Sequence, residues 1–355
     1  MAYTTINKST DYFNNKIYTG NGSTNAITGV GHQPDLVWIK SRTEAHHHRL
    51  FDAVRGATKK IFSSQTNTES TDAGSLTSFD ADGFTHAGGD TDGNGNGQSY
   101  ASWNWKANGA GSANTDGSIS STVSVNTTSG FSISKYTGTG SAGATVGHGL
   151  GVAPKMIIAK GLTYADVWIV GGDNLGGWNK EMYLNSTSAV ATNNNAFNGV
   201  APTSSVFTLG SGNGTNKSGD DYIAYCFAEK TGYSKFGKLI SNGSDDGTFT
   251  YTGFAPKFVM LKPNVSDGWS NWYIFDTTRD YPQLNDMPLY ANLSTQEGYY
   301  GGSPATNYAQ IDILSNGFKI RRGSGWGAGG SGTELIYMAF GQSLVGSNNV
   351  PCTAR

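Results

Sequence analysis

One loop has the residue types and spacing of a calcium site. Asp90, Asp92 and Asn94 stand at alternate positions before Gly95, as in the first half of a calcium-binding loop. The twelfth position of such a loop would be Ala101 instead of a bidentate glutamate, and a plain flexible loop is the alternative interpretation. Calcium at Asp90, Asp92 and Asn94 is therefore the only cofactor that the sequence suggests.

Three consecutive histidines, at positions 46–48, could bind a metal ion or sense pH. Adjacent residues of a strand point to opposite faces, so at most two of the three could share one ion. No Cys or His partner stands at the spacing of a closed zinc site. A polar loop or strand edge is the alternative interpretation.

Paired carboxylates are the residues that glycoside hydrolysis needs. Such pairs stand at positions 80 and 82, at 220–221 and at 245–246. Each pair lies in a glycine-flanked turn, where aspartate is favoured for backbone reasons. The sequence also has no nucleophile elbow in a strand-to-helix context and no phosphate-binding loop. We therefore expect no catalytic residues and predict that the chain is not an enzyme.

Tryptophans beside Gly/Asn-rich loops are the best candidates for ligand contacts. Trp168, Trp178, Trp269 and Trp326 lie in or next to such loops. Aromatic faces at loop ends, with Asn and Asp nearby, can hold sugars by stacking and fixed polar contacts. The alternative is that these side chains close the ends of a hydrophobic core.

The composition limits the folds that could position these residues. Glycine accounts for 50 of 355 residues, aromatic residues for 12% and charged residues for only 14%, against a usual charged share of about 25%. This mixture is typical of short strands joined by tight turns. The net charge of −2 gives no basis for binding nucleic acid. No apolar run reaches the roughly 18 residues of a membrane span, so we expect no membrane insertion.

The chain repeats one pattern three times. Each copy has a glycine and a proline that lead into an apolar strand ending in lysine, at residues 31–40, 151–160 and 253–262. Each copy also ends in an aromatic-rich strand, at residues 99–105, 222–227 and 335–340. Short apolar runs bounded by turn residues favour buried sandwich strands. Proline suits the first position of such a strand, because it cannot donate a ladder hydrogen bond.

Seven or eight short strands in about 100 residues are typical of a sandwich or jelly roll. We predict an all-β chain of three tandem β-sandwich domains, jelly-roll-like, each with its own core. Their predicted bounds are 1–106, 118–230 and 231–344. A Gly/Ser/Asn linker at 107–117 separates the first two, and residues 345–355 form a C-terminal tail.

Five segments carry a family resemblance: residues 31–42, 50–56, 78–84, 221–230 and 345–355. They resemble a family of structural proteins that is abundant in marine bacteriophages, including cyanophages and phages of pelagic bacteria. The resemblance covers essentially the whole chain. It implies a component of the virion with repeated β-sandwich domains, and it implies no catalytic residue.

The expected function is that of a non-catalytic virion protein, as a tail fibre, another tail component or a capsid decoration. The expected partners are other virion proteins, further copies of this chain and a glycan or receptor on the host surface. Two cysteines, Cys226 and Cys352, fit synthesis in the reducing host cytoplasm. The alternative function is a carbohydrate-binding or polysaccharide-degrading tail protein.

Overall fold

The computed structural model describes residues 3–279, 284–285, 287–300, 303–304, 310–323, 326 and 330–346. These residues form short strands with only brief helical turns, which confirms the all-β prediction. We name the three parts copy 1 (residues 3–106), copy 2 (107–230) and copy 3 (231–346). Residues 347–355 of the predicted tail, with Cys352, lie outside the described residues. In the described part of the chain, no helix is both long and apolar enough to cross a membrane.

The strands of each copy are short and follow one another closely. Copy 1 has a 3-10 turn at Ser9–Asp11, helix α1 (Thr91–Asn94) and strands β1 (Phe13–Thr19), β2 (Asn25–Thr28), β3 (Leu36–Ser41), β4 (Arg49–Asp52), β5 (Lys59–Lys60), β6 (Ser70–Thr71), β7 (Leu76–Asp80), β8 (Gly83–His86) and β9 (Ser99–Trp105). Copy 2 has a 3-10 turn at Asp173–Leu175, helix α2 (Asn213–Asn216) and strands β10 (Ser112–Asn114), β11 (Ser121–Asn126), β12 (Phe131–Thr137), β13 (Thr145–Gly147), β14 (Met156–Gly161), β15 (Ile169–Gly172), β16 (Lys180–Tyr183), β17 (Ala191–Thr192), β18 (Val206–Thr208) and β19 (Asp221–Phe227). Copy 3 has strands β20 (Ser234–Ile240), β21 (Phe249–Tyr251), β22 (Ala255–Pro263), β23 (Tyr273–Asp276), β24 (Leu284–Asn285), β25 (Leu289–Tyr290), β26 (Tyr299–Tyr300), β27 (Ser303–Pro304), β28 (Ile311–Leu314), β29 (Gly317–Ile320) and β30 (Glu334–Gln342).

The three copies share one sheet topology. The inner sheet runs β1-β9-β3-β4 in copy 1, β12-β19-β14-β15-β16 in copy 2 and β20-β30-β22-β23-β25 in copy 3. The outer sheet is β2-β8-β7, β13-β18 and β21-β29-β28-β24 in the same order. Copy 2 extends its inner sheet with β10 and β11 at one side and β17 at the other. The repeat found in the sequence is therefore a repeat of strand order.

Each inner sheet is buried on both faces. Successive side chains of a strand point to opposite faces, and β3 shows the result. Leu36 and Trp38 enter a core shared by all three copies, whereas Val37 and Ile39 enter a core between the two sheets of copy 1. Copies 2 and 3 have their own intersheet cores in the same way.

Aromatic residues from all three copies meet in the shared core. The ring of Phe340, in the second half of β30, lies 5.2 Å from that of Phe13, 5.7 Å from Trp105 and 5.9 Å from Phe227, measured between ring centroids. Trp105 and Phe227 end the corresponding strands of copies 1 and 2. Each copy thus has an intersheet core, and a second core joins the three copies.

Equivalent side chains link each copy to the next. Trp168 of copy 2 donates from Nε1 to the carbonyl of Phe62 in copy 1 at 2.9 Å. Trp272 of copy 3 donates to the carbonyl of Tyr183 in copy 2 at 2.9 Å. His48 of copy 1 occupies the same position before β4, and copy 1 is linked to copy 3 by Trp103, whose indole N–H donates to the Asp276 carboxylate at 2.9 Å. The links therefore close a ring of three copies with approximate three-fold symmetry.

The connection between copies 1 and 2 is hydrogen-bonded to copy 1. Within the predicted linker 107–117, the backbone N–H groups of Ala107 and Gly109 donate to the Asp35 carboxylate at 2.6 and 3.0 Å. Residues 112–114 form β10, which pairs with β11. Asp35 therefore fixes the point at which the chain leaves copy 1.

Candidate functional site

The four tryptophans predicted as ligand contacts occupy separate places in the fold. Trp168 lies in the shared core, Trp178 in the intersheet core of copy 2 and Trp326 in that of copy 3. Trp269 is 45% exposed and precedes β23. The structure does not bring these residues together, and three of them have the core role that the sequence left open as the alternative.

The predicted calcium residues hold an arginine. Arg49, at the start of β4, contacts both Asp90 and Asp92 through Nη2, at 3.3 Å in the case of Asp90. Asp90 also accepts from the backbone N–H of Asp92 and from the hydroxyl of Ser75 at 2.6 Å. Burial opposes ionisation of Asp92, but Arg49 outweighs it and lowers the pKa of that carboxyl. The two carboxylates are therefore engaged by a guanidinium.

The third predicted ligand, Asn94, has a structural role. Its side-chain amide donates to the carbonyls of Ser23 and Ala87 at 2.6 and 3.1 Å. In the described part of the chain, no group of three or more His, Cys, Asp and Glu side chains is arranged to hold a metal ion. Asp90, Asp92 and Asn94 thus lie close together, but the asparagine ties down loops instead of completing a ligand set.

The three histidines have three different environments. His46 pairs with Asp92 at 3.1 Å. His47 is hydrogen-bonded to Ser64, with Nδ1 to Oγ at 2.8 Å. His48 is buried and accepts from the indole N–H of Trp38 at 2.8 Å. The three imidazole rings therefore have separate hydrogen-bond partners.

The loop that holds Asp92 has a counterpart in copy 2. Asn216 at the end of α2 donates to two loop carbonyls, as Asn94 does at the end of α1. Tyr100 and Tyr222 each donate a phenol hydrogen to the first residue of the nearby helix. Position 92 in copy 1 therefore corresponds to position 214 in copy 2.

Copy 2 has an open cavity of about 180 Å³ at this place. The cavity lies between β15, β16 and the α2 loop. Its polar lining comes from residues of copy 2 alone: Asp166, Glu181, Tyr183, Asn193, Asn195, Asn213 and Thr215. Such a cluster of polar groups in a concave site is a candidate binding site.

The cavity is open because a different residue starts the fourth inner strand of each copy. Arg49 fills the place in copy 1, and Tyr273 fills it in copy 3, where Trp326 packs edge-on at 4.9 Å. Copy 2 has the shorter Ile169. It also has Gly214, where a Cβ atom would come within 2.9 Å of the Ile169 side chain.

The acidic side chains of the cavity are only partly hydrogen-bonded. Glu181 is 3% exposed, and its Oε1 accepts from the hydroxyl of Tyr183 and the amide of Asn193, both at 2.9 Å. Asp166 accepts at Oδ1 from the backbone N–H of Val167 at 2.8 Å. Burial raises the pKa of Tyr183 to about 12, and Glu181 adds to the shift. The tyrosine therefore remains a neutral donor at physiological pH.

A protein-family model described as a domain of unknown function, DUF7483, matches residues 8–343. The chain belongs to this family. The match spans all three copies, so one DUF7483 domain corresponds to the whole ring. No curated protein and no solved structure matches the chain.

Sequence reasoning did not find the cavity of this DUF7483 domain. Asp166 and Glu181 are 15 positions apart and belong to no known motif, so neither stands out alone. The available signal was the strand alignment of the copies, which places Arg49, Ile169 and Tyr273 at one position. The exchange of a buried cation for an aliphatic residue marks where the copies differ in chemistry.

The buried histidine His86 of copy 1 should make the stability of the domain depend on pH. Burial lowers the pKa of His86 to about 4, so below pH 6.5 the unfolded chain binds a proton that the folded chain does not. The contribution of His86 to stability then falls as pH falls, by about 2 kcal/mol between pH 7 and 5. Urea denaturation across this range measures the loss. A His86→Leu variant, with the residue that copy 2 has as Leu209, should lose less; an unchanged pH slope would exclude His86 as the cause.

Proposed function

We propose that this DUF7483 chain is a non-catalytic structural and attachment protein of a virion. The observation that carries the proposal is the division between a common scaffold and an equivalent intersheet position at which the copies differ. The three copies repeat their inner sheets, the aromatic shared core and the ring of links. At the start of the fourth inner strand they instead carry Arg49, Ile169 and Tyr273.

Such a division suits a display scaffold. Burial of both faces of every inner sheet favours a compact body that unfolds as one unit, because disruption of one copy exposes apolar surface of the other two. Divergent loops on a rigid scaffold are the usual location of binding residues. The resemblance to marine phage structural proteins supports the virion as the place of display, as part of a tail or on the capsid.

The proposed partners are other virion proteins, further copies of the chain and a glycan or receptor of the host. Oligomers of symmetric particles gain from many weak contacts. The cavity of copy 2 is a concave polar site available for such a contact. The carbohydrate alternative retains less support, because Trp168, Trp178 and Trp326 are buried and present no stacking face.

Particle labelling tests this function. Antibodies against the purified chain should label intact particles from cultures that express the gene, as seen by immunogold electron microscopy. Antibody preincubated with the chain is the control and should remove the label. Chain found only in the soluble fraction, with unlabelled particles, would contradict a virion role. Release of reducing sugar from host polysaccharide by the purified chain would contradict the non-catalytic part.

A further inference from the structure

We propose that the copy 2 cavity binds the guanidinium group of an arginine side chain presented by another protein chain. The inference deepens the proposed attachment function and rests on it for the nature of the partner. It names the chemical group that the cavity accepts. The juxtaposition that carries it is an aromatic wall and two incompletely bonded carboxylates around a cavity that an arginine fills in copy 1.

Copy 1 provides the internal template. The guanidinium carbon of Arg49 lies 5.7 Å from the centroid of the Phe62 ring. Tyr183 is the copy 2 counterpart of Phe62. The backbone carbonyl of Phe62 accepts from Trp168 of copy 2, and that of Tyr183 accepts in the same way from Trp272 of copy 3. Copy 2 thus retains the aromatic wall of a guanidinium site and lacks the guanidinium.

The polar side chains around this place differ between the copies. In copy 1, His46 and Lys60 are on the strand side, and each pairs with an aspartate of a nearby loop. Their counterparts in copy 2 are Asp166 and Glu181, as the registers of Leu50 with Ile61 and of Val170 with Met182 indicate. The loop side of copy 2 has glycine in place of Asp92. The copy 2 cavity therefore has anions without the opposite charges found in copy 1.

One oxygen of each carboxylate has no partner among the described residues. Both hydrogen bonds of Glu181 go to Oε1, and the bond to Asp166 goes to Oδ1. Glu181 is nonetheless 3% exposed and lines the cavity. Oε2 makes no hydrogen bond within the chain and keeps contact with solvent at the cavity, so it can accept from a donor that enters there.

The lysines around the cavity are engaged elsewhere. Burial lowers the pKa of Lys160 to about 8, and the nearby Asp166 carboxylate opposes this shift. The Lys160 ammonium nevertheless donates to two backbone carbonyls, at 2.8 and 3.2 Å. Lys217 pairs with an aspartate of its own loop at 2.9 Å and lies over the ring of Tyr164 at 3.7 Å. Lys180 directs its ammonium toward Gly176.

The geometry favours a guanidinium over a metal ion or a sugar. Calcium needs six to eight oxygens packed closely around one ion, whereas the cavity has a volume of about 180 Å³, which is more than one ion fills. A neutral sugar would cover both carboxylates without neutralising them. A guanidinium has a planar fork of donors for carboxylates and a flat face for the Tyr183 ring.

Binding of N-acetylarginine amide to the purified full chain tests the inference. Titration calorimetry and amide NMR at low salt should detect saturable binding, with shifts confined to β15, β16 and the α2 loop. N-acetylcitrulline amide is the matched control, because it keeps the shape and loses the charge. It should bind at least about tenfold more weakly, as expected for loss of a charge-assisted bond.

Variants locate the site. Glu181→Gln and Asp166→Asn should each weaken arginine binding by about tenfold. Ile169→Arg should abolish it, because the new side chain would fill the cavity as Arg49 does in copy 1. Asp116→Asn changes an exposed carboxylate of copy 2 outside the cavity and should leave binding unchanged. Thermal melts establish that each variant is folded, and the first two remain informative if the arginine variant does not fold.

Several outcomes would overturn the inference. They are equal binding of the arginine and citrulline probes, binding of calcium or N-acetylglucosamine in place of arginine, no binding of any probe, and arginine binding that Glu181→Gln leaves unchanged. The assay needs no particles. A negative result here with labelled particles would reject the guanidinium site alone, whereas unlabelled particles with arginine binding would reject the virion role alone.

Discussion

Replacement of Phe340 by alanine should lower the free energy of unfolding of the whole chain by about 3–5 kcal/mol. The ring is 1% exposed and contacts aromatic rings of all three copies, at 5.2 Å in the case of Phe13 and 5.9 Å in the case of Phe227. The resulting cavity would lie where the copies meet. The loss should therefore appear in one cooperative transition of all three copies.

Urea denaturation followed by both tryptophan fluorescence and far-UV circular dichroism measures this effect. The two signals should coincide in the wild type and in Phe340→Ala, with an earlier midpoint in the variant. Phe249→Ala is the matched control, since that ring is 44% exposed, and it should change stability by less than about 0.5 kcal/mol. Separate transitions for separate copies would contradict the shared core and favour three independent domains.

The strands that build this core were predictable from the sequence, but their partners were not. The run 36–39 is apolar at every position, and such a run indicates a strand buried on both faces. It does not say which layer covers each face. Here one face meets the outer sheet of copy 1 and the other meets copies 2 and 3. That arrangement depends on contacts more than 100 residues apart, which no local pattern encodes.

The tryptophans show the same limit at the level of single side chains. Trp168 and Trp178 stand beside glycine-rich segments, so their position along the chain was compatible with a loop that faces solvent. Both turn inward: Trp168 bonds to the carbonyl of Phe62 in copy 1, and Trp178 donates to Asp173 at 2.8 Å. A partner in another copy determines the first orientation.

The candidate site was hidden for a different reason. Its acidic residues resemble the turn carboxylates found throughout the chain. Its opening depends on Ile169 and Gly214, which stand where copy 1 has the longer Arg49 and Asp92. A pattern in one sequence can identify residues that are present. It cannot easily show a cavity that exists because a larger side chain is absent. Alignment of the three copies by strand register provides the missing reference, because copy 1 shows what occupies the same place.

Removal of a buried charge in copy 1 should have the second large effect. Asp52 and Arg55 are both fully buried and pair at 2.5 Å, and the Tyr225 hydroxyl of copy 2 donates to Asp52 at 2.8 Å. Asp52→Ala would leave the guanidinium without its nearest counter-charge, with only Glu69 at 3.3 Å. Loss of one partner of such a pair costs about 3–5 kcal/mol. Urea denaturation at neutral pH measures it.

Copy 2 supplies the matched control, because apolar residues occupy the equivalent buried positions there. Gly172, Leu175 and Val190 occupy the positions of the buried acid, arginine and glutamate, and Met338 of copy 3 stands where Tyr225 stands in copy 2. Apolar replacement of a whole buried ion network is often neutral or stabilising. The fourfold variant that gives copy 1 these apolar residues carries Asp52→Gly, Arg55→Leu, Glu69→Val and Tyr225→Met. We expect it to recover most of the free energy of unfolding that Asp52→Ala loses. A fourfold variant as unstable as Asp52→Ala would contradict this expectation. It would mean that the charges of the network are needed to hold copies 1 and 2 together, and that apolar residues suffice only in the surroundings that copy 2 provides.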